Sequence, residues 1–274
     1  MTMQQADDFR QECKMLADLI GAQPDSVFNC VTLFKGWTIN DVIGHLHMFN
    51  VAARLTLEDE RKFAEFFAPV SADLRAGKSM LESQNVWLDG LKGRALFEVW
   101  CDECEAIAAI YGATDPKRRI TWAGPDMSAR SSITARQMET WAHGQEVFDC
   151  LGQLRVDSDR IKNIAHLGVS TFGWTFINRK EGVPEPAPHV VLTAPSGAVW
   201  KWNEQQDTNR VSGPATDFCQ IVTQTRNVAD TSIQTFGDIA SRWMAIAQCF
   251  AGKPNDPPAA GSRNVARQDI SAQR

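Results

Sequence analysis

The apolar residues of this chain change their period once. Up to about residue 182 they recur every three or four positions, the spacing of one helix face, and after Pro188 they alternate as in a strand. A chain patterned this way builds helices first and a small mixed unit afterwards. The fold class expected is α+β, mainly α: a helical bundle over 1–183, a small α+β unit over 184–251, and a tail over 252–274.

Within the first part, Phe9, Cys13, Leu16 and Ile20 mark a helix over 4–21. Thr38, with Asp41 at the third helical position, has the form of a capping box and opens a second helix. Val42, Leu46, Phe49 and Ala53 continue its face, and the pattern runs on to Phe67, before Pro69. Leu88, Leu91, Ala95, Val99, Ala106 and Ile110 place a third helix over 84–112, with Gly90 and Gly93 inside it. Ser131 or Ser132 caps a fourth that runs to about Leu151, and a fifth begins near Asp157 and ends before Gly182. Then come a strand at His189–Thr193, a turn at Pro195-Ser196-Gly197 and a hairpin partner at Ala198–Trp202. Val211–Gly213 and Thr231–Thr235 read as extended, and 214–225 and 238–250 as helical. From Gly252 to Arg274 the chain is rich in Pro, Gly, Ala, Asn and Arg, has little to bury, and is expected to be disordered.

Charge and cysteine content narrow the function classes. With 28 basic and 33 acidic residues, and no basic cluster longer than Lys117-Arg118-Arg119, the chain lacks the surface that neutralises phosphates, so no nucleic-acid partner is expected. No apolar run approaches the ~18 residues of a membrane span, and the polar start has no export signal, so a cytoplasmic protein without membrane contact is expected. The seven cysteines are an odd number without a secretion signal, which argues against a disulfide framework. Cys101 and Cys104 read as half-buried thiols one helical turn apart, and His166 and His189 as structural or exposed.

The residues that carry chemistry lie on two helices. Glu139 and His143 are four apart and share a helix face, with Glu146 three residues further on. His45 sits mid-helix among apolar neighbours, whereas His47 points about 200° away around the same helix. Two readings of these residues stand side by side: an exposed salt bridge plus a core histidine bonded to a carbonyl, or three ligands converging on a divalent ion inside a bundle.

Gly36-Trp37-Thr38, Asp41-Val42 and His45-Leu46 together resemble the GWT-x-x-DV-x-x-HL signature of the mycothiol-dependent maleylpyruvate isomerase family. That family's metal domain belongs with the DinB-like four-helix proteins, and its E-x-x-x-H-x-x-D/E helix is matched by Glu139, His143 and Glu146. The resemblance implies zinc, or another divalent metal, on His45, Glu139 and His143. It also implies that Glu146 orients a ligand or meets the substrate. The family's C-terminal unit is sterol-carrier-like, and its pattern is echoed by Gly197-Ala198-Val199-Trp200, Gly213-Pro214-Ala215-Thr216-Asp217 and Arg226. Arg226 is thereby implied as the active-cleft arginine that binds a carboxylate of thiol or substrate. The charged segment from Glu58 to Ala72 and the tail depart from the family pattern.

Two His and one Glu leave a metal position open, as in catalytic rather than structural sites. The function expected is a zinc-dependent enzyme using a low-molecular-weight thiol, mycothiol- or glutathione-like. It would be an isomerase or S-transferase acting on a small carboxylated substrate, with Glu146 relaying a proton or orienting a ligand. A non-catalytic metal sensor or carrier and a zinc hydrolase using metal-bound water are the alternatives. The partners expected are small molecules, and a homodimer is left open.

Overall fold

The computed structural model describes residues 2–124 and 126–263. The chain divides into two compact units, Met1–Cys150 and Leu151–Arg274.

In the first unit α1 (Gln4–Gly21), α2 (Ile39–Glu58), α5 (Gly93–Gly112) and α6 (Ala129–Cys150) pack on one another, while α3 (Glu60–Arg75) and α4 (Met80–Leu88) lie against α2. Phe9, Leu16, Ile43, Leu46, Trp100, Tyr111 and Trp141 fill the space between them and are fully buried. Each such side chain contributes about 1.5–3 kcal/mol. A two-residue hairpin, β1 (Arg119–Ile120) with β2 (Met127–Ser128), leads into α6.

Three of the expected helices are broken: two in the first unit, and the fifth stretch, in the second, at Thr171. The stretch expected to run from Thr38 to Phe67 stops at Asp59, whose φ of −161° leaves the helix. The Asp59 carboxylate then accepts the N–H groups of Arg61 and Lys62 and starts α3. Pro69, expected to end the helix, lies inside α3; Glu65, whose carbonyl it leaves without a donor, is exposed to water. The stretch 84–112 breaks where Asp89 and Gly90 turn left-handed, at φ 47° and 84°. The cap of α6 is Ser128, not Ser131 or Ser132: its hydroxyl accepts the Ser131 N–H at 3.1 Å. Ser132 is buried instead, 2.9 Å from the Tyr111 hydroxyl.

The second unit holds α7 (Lys162–Ser170), α8 (Phe172–Asn178), α9 (Ala215–Val222), α10 (Asp238–Ile246) and a four-stranded sheet. Its strands are β3 (His189–Thr193), β4 (Val199–Trp202), β5 (Arg210–Pro214) and β6 (Gln234–Phe236), in the order β4-β3-β5-β6. The expected β3–β4 hairpin is present, β5 runs parallel to β3, and β6 runs antiparallel to β5.

The boundary falls at Cys150/Leu151 rather than at 183/184. The fifth helical stretch packs on the later helices: a Cβ at Gly168 would meet Val222 at 2.8 Å, and Phe172 lies edge-on to Trp243 at 5.1 Å. Helical periodicity shows which face is apolar, not which partner covers it. The tail is also held further than its composition suggests. Asn255 donates to the Gln224 side chain at 2.7 Å, Arg179 pairs with Asp256 at 2.9 Å, and Gly261 N–H reaches the Asp230 carboxylate at 2.9 Å. Residues 252–263 are therefore tied by polar bonds, which a composition argument about burial overlooks. Residues 264–274 of the expected disordered tail lie outside the described residues. Among the described residues no helix is long and apolar enough to cross a membrane.

Candidate metal centre

The phase of α2 is set at its first turn. Thr38 Oγ1 accepts the Asp41 N–H at 3.1 Å, and Asp41 accepts the Thr38 N–H at 2.9 Å, completing the expected capping box. Two turns on, His45 faces α6, where Glu139 and His143 are successive positions on one helix face. Nε2 of His143 and Nε2 of His45 lie 3.4 and 3.8 Å from the same Glu139 Oε2. One donor atom from each of the three residues falls within 4.8 Å of the others.

Ligands about 2.0–2.1 Å from a tetrahedral ion sit roughly 3.3–3.5 Å from one another. The His143–Glu139 edge already has that length, and the His45–Glu139 edge is slightly wide. The donor set, two imidazole nitrogens and one carboxylate oxygen, suits zinc or a similar divalent ion.

Electrostatics favour the ligand state. Burial holds the His45 imidazole down at about 4, opposed by its contact with Glu139 and reinforced by His143 and Arg136, so it is neutral at physiological pH. Burial works against the Glu139 carboxylate, but His143 and His45 outweigh it and hold it well below the usual range. A neutral histidine beside an ionised carboxylate is the form that binds a metal.

Rings enclose the three donors. Between Cys30 and Ile39 the chain makes a tight excursion: Ile39 N–H returns to the Cys30 carbonyl at 2.9 Å and Thr32 N–H to the Trp37 carbonyl at 2.7 Å. Lys35 and Gly36 turn its tip at φ 54° and 70°. The excursion lays Phe34 edge-on to His143 at 4.9 Å and Trp37 edge-on to His45 at 5.4 Å. Phe49 covers His45 at 4.8 Å. Buried His45 Nδ1 has no hydrogen-bond partner.

One residue of this neighbourhood escaped the sequence reading. Arg136, 4% exposed, donates from Nε to Asn50 Oδ1 at 3.0 Å and from Nη2 to the Leu46 carbonyl at 3.5 Å. It thereby joins the helix of Glu139 and His143 to the helix of His45. Its place three residues before Glu139 was the available signal, but an arginine on a helix is ordinarily solvated, so spacing alone did not mark it.

Glu146 and Arg226 are outside the three-donor set, and so is His47. His47 faces α4 and packs against Trp87 at 5.4 Å. Trp141, between Glu139 and His143 in sequence, is fully buried. Glu146 is buried on α6, one turn beyond His143. Arg226 belongs to the second unit, on the turn that follows α9, where it is buried and its Nη1 donates to the Thr225 carbonyl at 2.8 Å.

A family model described as the mycothiol maleylpyruvate isomerase N-terminal domain matches residues 9–148. Uncharacterized proteins from two strains of Mycobacterium tuberculosis are 37% identical to this chain over 247 residues, covering 90% of it and 95% of each relative. Among solved structures, the crystal structure of the mycothiol-dependent maleylpyruvate isomerase matches with a TM-score of 0.55 at 15% identity, over 85% of this chain and 91% of that one. A point mutant of the same isomerase matches at 0.53. At that identity the two structures establish a shared fold.

Proposed function

The chain belongs to the mycothiol maleylpyruvate isomerase family, and from that premise we propose that it is a metal-dependent enzyme using a low-molecular-weight thiol, an isomerase or S-transferase acting on a small carboxylated substrate. The observation that carries the reading is the convergence of His45, Glu139 and His143 at spacings suited to one divalent ion, zinc first. Such an ion supplies Lewis acidity, which lowers the pKa of a thiol and makes it a nucleophile at neutral pH.

The chain's own residues do the rest. Glu139 and the two histidines hold the ion, and Phe34, Trp37 and Phe49 exclude water around them. Glu146 is proposed to hold the proton that the thiol gives up. Arg226 is proposed to take a carboxylate of thiol or substrate through its planar fork. The isomerisation that fits is addition of the thiolate to an activated alkene, rotation about the new single bond, and departure of the thiolate, which takes its proton back to regenerate the thiol.

Metal content after dialysis tests the ligand set. Wild type should retain about one zinc-class ion per chain on a three-ligand site, and His143→Ala should lose it. Full occupancy in that variant overturns the assignment. A cobalt-substituted protein titrated with mycothiol, glutathione and bacillithiol tests the thiol. At least one should shift the cobalt spectrum, and a flat response to all three favours hydrolysis by metal-activated water instead. Arg226→Ala should keep its metal and lose about 1.5–3 kcal/mol of affinity for an anionic thiol or substrate. Unchanged affinity in that variant removes Arg226 from the site.

A further inference from the structure

Outside the metal centre, the thiols fall into two groups. Cys13, Cys104, Cys219 and Cys249 are buried. Cys30 and Cys150 are each partly exposed, and they come together from opposite ends of the first unit's sequence. Cys30 is the root of the excursion that carries Phe34 and Trp37, and Cys150 is the last residue of α6. Cys150 Sγ donates to the carbonyl of Val31, the residue next to Cys30, at 3.4 Å. The Cys30 thiol is its neighbour. Among the described residues this is the pair of neighbouring thiols in which both members reach solvent. Cys101 is also partly exposed, but its neighbour Cys13 is buried.

We infer that Cys30 and Cys150 form a redox-active dithiol, a modification site that closes to an intramolecular disulfide by exchange with a small oxidised thiol. Closure would staple the root of the aromatic excursion to the helix that bears Glu139 and His143. The inference does not rest on the metal reading, because neither cysteine belongs to the three-donor set.

The exchange balances without any other reactant. The Cys30 sulfur attacks a small disulfide RSSR, giving a mixed disulfide and one RS⁻. The Cys150 sulfur then displaces the second RS⁻, and the two protons lost by the cysteines go to the departing thiolates. The protein dithiol is oxidised by two electrons and RSSR is reduced to two RSH. Burial, with Cys30 and Asp149 nearby, pushes the Cys150 thiol above its ordinary range.

The test uses the full chain and glutathione disulfide as the probe. The reduced protein is equilibrated across a series of glutathione redox ratios, alkylated after denaturation, digested and mapped by mass spectrometry. A Cys30–Cys150 cross-linked peptide should accumulate with oxidation, leaving five of the seven thiols to react with the alkylating agent. Because the bond would close a loop of about 120 residues, the thermal midpoint should rise by at least about 5 °C. Amide exchange over residues 30–38 should slow. Cys30→Ser and Cys150→Ser should each abolish the cross-link and the thermal shift, and Cys101→Ser should leave both intact. The inference is overturned if both thiols stay alkylatable at every ratio, if glutathione remains as a stable mixed disulfide without a cross-link, or if the cross-link joins other cysteines.

Discussion

The two faces of α2 make a controlled comparison. His45 looks toward α6 and His47, two residues later, toward α4, yet the two side chains share most of their local properties. Burial holds both down at about 4, helped at His47 by Arg54, and Nδ1 of each is buried without a hydrogen-bond partner. By pKa or burial alone they would be equal candidates. They differ in company. His45 meets a carboxylate and a second imidazole, whereas His47 meets the indole of Trp87, which can donate but cannot hold a cation as a ligand. A perturbed histidine thus marks burial; a site requires convergence.

The largest difference between the faces should appear in metal retention. His45→Ala should lose affinity on the order of 100-fold or more, since a three-ligand site cannot spare one ligand, whereas His47→Ala should keep its ion. Equal loss in the two variants, read by equilibrium dialysis, would break the comparison.

Acid should act on both faces together. Each imidazole is depressed in the folded state, so the stability it contributes is complete above its unfolded pKa of about 6.5 and is lost as pH falls toward 4. The metal-free protein should lose about 2–3 kcal/mol per histidine over that window in denaturant titrations, an order-of-magnitude figure. Below it Glu139, also depressed, adds a loss in the same sense. His47→Gln, which does not titrate, should remove about half of the loss between 6.5 and 4. A pH dependence unaltered by that substitution would show that His47 is not held neutral.

Arg136 sharpens the inner face. Arg136→Met leaves Asn50 Oδ1 without its donor, removes the second donor of the Leu46 carbonyl, and should cost about 1–3 kcal/mol of stability. Metal affinity should fall by about 10–100-fold as α2 and α6 lose their register. Arg136→Lys should recover part of the stability and less of the affinity, because a point charge reaches one acceptor where the fork reaches two. If both variants bind metal like wild type, the clamp is structural only.

The smallest effect on the metal is expected on the outer face. A Cβ at Gly44 would sit 2.7 Å from the Gln84 amide and 2.8 Å from Leu88, so Gly44→Ala should cost about 1–3 kcal/mol by pushing α4 away from α2. Metal retention should be unchanged. A variant that kept its stability but lost its metal would mean that the two faces are not independent.

Much of this was legible in the chain because it is local. A capping box spans three residues, and an i, i+4 pair shares a helix face by geometry, so the Thr38 start of α2, the Glu139–His143 pair and the outward turn of His47 follow from spacing alone. The left-handed break in the 84–112 stretch had its signal in Gly90, although the stretch was read as continuous. What only the tertiary structure decided depends on residues far apart in sequence. Whether Arg136 is solvated or buried against Asn50 is settled by the packing of α6 on α2. Whether 162–178 closes the first unit or opens the second is settled by Val222 and Trp243, which lie some fifty or more residues downstream. The nearness of Cys30 to Cys150 and the ordering of 252–263 are of the same kind. Periodicity reports that a face is apolar or a residue polar; the identity of its partner exists only once the chain has folded.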